Sequence, residues 1–86
     1  LFLDKQHSLL YVADTMNHRI QLFHITGPPP YYGTTVAGGN GEGPGDHQLR
    51  RPSDVWVSQK NGSIYVADTD NNRIQRWDVG ATAGVT

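Results

Sequence analysis

Cysteine is absent from the 86 residues, which excludes a disulfide framework and any thiolate metal or redox site. An excess of charge of one sign is missing too. Lys and Arg number 7 against 8 Asp and Glu, a formal charge of −1, so the chain lacks the basic field of a general nucleic-acid binder and has room only for a small basic patch. Long apolar runs are also lacking. The longest, Leu9 to Ala13, has five residues, against the ~20 needed to cross a bilayer. No membrane insertion by this segment is expected, and no charged, apolar, then small-residue signal opens the chain. Methionine occurs once, at Met16, behind an opening Leu1, which reads as an excerpt of a longer protein. These features leave the cellular compartment open.

Recognisable catalytic wiring is scarce. There is no G-x-S-x-G, no cysteine nucleophile and no acidic pair in a catalytic context. His7, His18, His24 and His47 fall on separate turns, strand ends and linkers without H-x-x-x-H spacing, so no metal set is expected from this chain alone. The glycine run from Gly38 to Gly45 is not followed by Gly-Lys-Ser/Thr and leads into a proline and a strand, so it reads as a flexible connection and not a phosphate cradle. The stretch Asp68-Thr69-Asp70-Asn71-Asn72 superficially suits calcium. A loop of the EF-hand kind starting there would place Arg73 and Val79 where glycine and a bidentate glutamate are required. No cofactor is therefore expected.

What the chain does contain is a repeat. Residues 11–23, Tyr-Val-Ala-Asp-Thr-Met-Asn-His-Arg-Ile-Gln-Leu-Phe, return at 65–77 as Tyr-Val-Ala-Asp-Thr-Asp-Asn-Asn-Arg-Ile-Gln-Arg-Trp, nine of thirteen identical at an offset of 54. Upstream only the apolar pattern persists, Leu1-Phe2-Leu3 standing 54 residues before Val55-Trp56-Val57. Downstream, Gly33-Thr34-Thr35-Val36 matches Gly84-Val85-Thr86 at an offset of 51. The extra three residues coincide with Pro28-Pro29-Pro30, a semi-rigid polyproline stretch flanked by Tyr31 and Tyr32.

Each unit reads as short strands between turns. In the second, strands are expected at 54–58, 63–67 and 73–79, with Val85-Thr86 beginning a fourth. Asn61-Gly62 is expected to form a tight hairpin. Gly and Pro interrupt every window long enough for a helix. The class is all-β, with blades of four antiparallel strands that do not complete a ring. The expected organisation is a partial blade over 1–37 with a truncated first strand, a Gly-rich connection over 38–50, and a second blade over 51–86 with a truncated last strand. Asp14 and Asp68 end strands, and each is expected to pair with the arginine five residues on, Arg19 and Arg73. Uncovered blade faces would leave Trp56, Val57, Tyr65 and Trp77 in water.

The segments Tyr-Val-Ala-Asp, Asn17-His18-Arg19-Ile20 and Arg51-Pro52-Ser53-Asp54-Val55 resemble the NHL repeat, whose pattern runs Pro-x-Gly, Tyr-Val-Ala-Asp, then Asn-His-Arg. The sequence departs from it at Asp54, where glycine is usual, and at Asn72, where the histidine would stand. The resemblance implies a propeller of about six blades, so further blades in cis or self-association would be needed to close the ring. Because rigid blades position variable loops, the expected function is a non-enzymatic scaffold for a protein partner, with contacts in the long connections at Tyr31, Tyr32, Glu42, His47, Arg50 and Arg51. Some relatives instead bind single-stranded RNA, which would draw on Arg50, Arg51, Arg73 and Arg76 with Trp56 and Trp77. The other alternative is that the segment is part of a propeller enzyme resembling the metal-assisted lyases or lactonase-like hydrolases, in which a central metal would activate water or polarise a carbonyl. Asn61-Gly62-Ser63 is also a glycosylation sequon, and Asn-Gly is equally a turn signal.

Overall fold

A computed structural model describes every residue from Leu1 to Thr86. Four strands, β1 (Phe2–Asp4), β2 (Leu9–Asp14), β3 (Arg19–His24) and β4 (Gly33–Gly38), form an antiparallel meander in sequence order. Three more, β5 (Asp54–Val57), β6 (Ile64–Asp68) and β7 (Arg73–Trp77), form a second meander. A fourth strand of the second sheet begins at Val85, whose amide and carbonyl bond Arg76 at 2.8 and 2.7 Å. The two sheets pack face to face as propeller blades and do not close into a ring.

The repeat is obeyed atom by atom. Leu22 pairs with Thr34 in the first sheet and Arg76 with Val85 in the second, the offsets of 54 and 51 seen in the sequence. Thr35 Oγ1 donates to Gln21 Oε1 at 2.5 Å, and Thr86 Oγ1 donates to Gln75 Oε1 at 2.7 Å. Glycine is required beside both pairs. A Cβ on Gly33 would lie 2.8 Å from Gln21 Nε2, and one on Gly84 would lie 2.7 Å from Trp77 Nε1.

Period-two alternation sorts the side chains between two faces of each sheet. Tyr11, Ile20 and Ala37 from the first sheet meet Val55, Val57, Ile64, Val66 and Trp77 from the second, with Phe2, Leu9, Ala13, Leu22 and Val36 at the margin. Each fully buried aliphatic side chain here contributes roughly 1.5–3 kcal/mol. Of the four residues expected in water, Val57 and Trp77 are therefore inside the interface. Trp56 and Tyr65 are indeed exposed, because neighbouring residues of one strand point to opposite faces.

Two local expectations are corrected. The link between β5 and β6 spans residues 58–63, and only Gly62 takes a positive φ, of 77°. Asn61 does not share a two-residue turn with it. Its Oδ1 instead accepts the Ser63 amide at 3.0 Å, while Ser63 Oγ donates to Asp78 at 2.9 Å. The glycine-rich connection is not a flexible tether either. Leu49 within it and Pro52 just beyond it are fully buried, and it is braced by the hydrogen bonds described next.

Candidate functional site

The antiparallel order places the two blades' polar turns at one end. Each β2–β3 or β6–β7 link is a single 3-10 turn, Thr15–Asn17 and Thr69–Asn71, closed by a residue in the left-handed region, His18 (φ 54°) and Asn72 (φ 53°). Asn and His tolerate that region better than most side chains. Ahead of each turn, the strand-ending aspartate receives the arginine five residues on. Arg19 Nε donates to Asp14 Oδ2 and Arg73 Nε to Asp68 Oδ2, both at 2.7 Å. The Arg19 guanidinium and the Asn17 amide together hold the Asp14 carboxyl below the usual carboxylate range.

The connection between blades, residues 39–53, folds over the second of these turns. Arg73 donates from Nη1 to the Pro44 carbonyl at 3.0 Å and from Nη2 to those of Gly45 and Gln48 at 2.8 and 2.9 Å. Asp68 Oδ1 accepts the Arg50 amide at 2.7 Å, and Asn71 Nδ2 donates to the Gly43 carbonyl at 2.9 Å. Within the loop, Asn40 donates to the His47 carbonyl and Gln48 to that of Asn40. The loop is thus clamped by a guanidinium that neutralises three of its carbonyl dipoles at once.

Its other anchor is His18 of the first blade. His18 Nδ1 accepts the Arg51 amide at 3.0 Å, so the ring proton sits on Nε2, which faces Glu42 Oε2 at 3.1 Å. Arg51 reaches this position with φ of 47°. Around it, Arg50 Nε lies 3.8 Å from Glu42 and Arg51 Nε lies 3.8 Å from Asp70. Glu42, Arg50 and Arg51 are thereby brought together at the turn end, joined by His18 and Asp70, which sequence reasoning had not placed there. The signal available for His18 was its place at the end of the repeated turn, where Asn72 takes the same left-handed conformation.

The other candidate residues lie apart. His47 lines an open groove of about 450 Å³ with Thr35, Ala37, Asn40, Trp77 and Thr82. Tyr31 and Tyr32 lie on the β3–β4 loop at the opposite end. There the Tyr31 hydroxyl donates to the Gly27 carbonyl at 2.8 Å and Tyr32 is 81 % exposed. The residues considered for RNA do not form one face. Arg73 is committed to the loop, Trp77 is buried, and Arg76 pairs with Asp78 at 3.1 Å on the outer sheet face. No three His, Asp or Glu side chains converge in a geometry that would hold a metal ion.

Residues 49–77, from the buried end of the loop to the end of β7, match the NHL repeat. The chain belongs to the NHL-repeat family. It is similar to NHL repeat-containing protein 2 of Bos taurus, at 34 % identity over 88 % of this chain and 11 % of that protein. The proteins of the same name from Homo sapiens and Gallus gallus are 31 % and 29 % identical over the same shares. The chain thus spans about a tenth of the length of these relatives. No solved structure matches it significantly. The NHL match covers the Asp68–Arg73 turn and, of the loop residues that this turn holds, Arg50, while Gly43, Pro44, Gly45 and Gln48 precede it.

Proposed function

We propose that this NHL segment is non-enzymatic and serves as a protein-interaction scaffold, with its turn end as the binding face. The observation that carries this reading is the mixed-charge group formed by Glu42, Arg50 and Arg51, on a loop anchored to both blades, with Asp70 of the adjoining Thr69–Asn71 turn. Two cations and two anions interleaved within 3.8 Å suit a partner surface offering both signs, where charge complementarity fixes register and accelerates encounter. A loop already held in place loses little conformational freedom on binding. Tyr31 and Tyr32 offer a separate aromatic contact at the far end.

The test is charge reversal in the full-length protein that carries this segment, using Glu42→Lys and Arg51→Glu, read by cross-linking mass spectrometry. The expected result is a defined set of proteins cross-linked to residues 39–53 and lost in both variants, with the β-sheet circular dichroism unchanged. Retention of the same cross-links in both variants, or cross-links to RNA in their place, overturns the reading.

A further inference from the structure

The connection between β3 and β4 differs in length from its counterpart in the second blade. Phe23 and Gly33 form the last pair of β3 and β4, and the residues that match them 54 and 51 positions on are Trp77 and Gly84. The first connection is therefore three residues longer, and it carries Pro28-Pro29-Pro30-Tyr31-Tyr32. The fold does not need the extra residues. The second blade joins the same strands without them, residues 26–35 are all exposed, and none of the prolines enters the apolar core. A further blade would pack against the sheet faces, whereas this run lies beyond the last strand pair.

Successive prolines favour the extended polyproline II form, since each ring holds φ near about −65° and none has an amide to donate. Grooves that read such a segment are lined by aromatic side chains and take their specificity from the residues that accompany the prolines. The pattern Pro-x-x-Pro does not occur in the chain. Pro29-Pro30-Tyr31-Tyr32 instead supplies two adjacent prolines, a spacer and a tyrosine. Tyr31 suits the spacer position, being 38 % exposed with its hydroxyl donated to the Gly27 carbonyl at 2.8 Å, while Tyr32 is 81 % exposed and free to enter a pocket. The same pattern one residue earlier, Pro28-Pro29-Pro30-Tyr31, would first have to release Tyr31 from Gly27. The unbound loop bends over residues 27–29. With φ already held by the rings, straightening it in a groove costs little conformational freedom.

We propose that this loop docks a small domain of the WW type through Pro29, Pro30 and Tyr32. The prolines stack between aromatic walls, and Tyr32 fills a neighbouring pocket that offers its hydroxyl a hydrogen-bond partner. The contact deepens the reading of this segment as a protein scaffold, but it rests on the far end and not on the Glu42 group, so the two can fail separately.

Fluorescence anisotropy of a labelled, isolated WW domain selective for Pro-Pro-x-Tyr, titrated with the full-length protein that carries this segment, tests this. Saturable binding is expected, weakened at least about tenfold by Tyr32→Ala and by Pro29→Ala, and unchanged by Tyr31→Ala and by Glu42→Lys at the opposite end. All four positions are exposed, so the β-sheet circular dichroism is expected to stay the same. A labelled SH3 domain, which reads Pro-x-x-Pro, is expected not to bind. The proposal is overturned if wild type fails to bind the WW domain, if Tyr32→Ala or Pro29→Ala binds like wild type, or if Tyr31→Ala loses as much as Tyr32→Ala. Loss of binding in Glu42→Lys, or equal binding of the SH3 domain, overturns it as well.

Discussion

The turns at Asp14–Arg19 and Asp68–Arg73 share sequence, backbone and a 2.7 Å ion pair, yet differ in what surrounds them. In the first, the aspartate side chain is 28 % and the arginine 36 % exposed, while in the second the figures are 0 % and 13 %. The cause is the loop of residues 39–53, which gives Arg73 three carbonyls and Asp68 an amide, whereas Arg19 donates to Asp14 alone. The same motif is therefore a modest surface pair where it stands alone and a buried clamp where a loop crosses it. Its role in the fold is to hold the connection between blades, and through that connection to position Glu42, Arg50 and Arg51.

Substitutions at matched positions should separate the two turns. The largest expected effect is from Asp68→Asn, which leaves Arg73 buried without its counter-charge. It should cost about 3–5 kcal/mol in urea unfolding, against about 0–1 kcal/mol for Asp14→Asn. Gly84→Ala comes next. Its Cβ would press on the buried Trp77 indole, for a cost of about 1–3 kcal/mol. Gly33→Ala should cost less, because Gln21 and Phe23 are only half-buried and can give way. Smallest is the pH response of the exposed turn. The Asp14 carboxyl titrates below its unfolded value, so its contribution is fully present above the ordinary carboxylate range and disappears as pH falls through the lowered folded value. Stability measured from pH 6 to 2 should show a shallower acid limb in Asp14→Asn than in wild type.

Much of this architecture was legible in the residues. The 54-residue offset predicts the paired strands, the Asp–Arg pairs and the shift to 51 at the fourth strand, because all of these depend on local pattern. Which of Trp56 and Trp77 is inside was misjudged, both being expected in water, although the pattern held the answer. Val55, Val57, Ile64 and Val66 make a uniformly apolar face, whereas Trp56 shares its face with Asp54 and Arg76. The ordered loop was not legible. Glycine-rich composition reads as flexibility, and the restraint here comes from Arg73, 25 to 29 residues away in sequence. The role of His18 was hidden for the same reason, since its partners Glu42 and Arg51 come from that loop.

The most direct test of the clamp is the difference in unfolding free energy between Arg73→Ala and Arg19→Ala, measured by urea titration under identical conditions. Loss of three carbonyl contacts and a buried counter-ion should make Arg73→Ala the more damaging by at least about 2 kcal/mol, with amide exchange accelerated across residues 43–50. Equal costs for the two substitutions, with the loop amides still protected in Arg73→Ala, would contradict it.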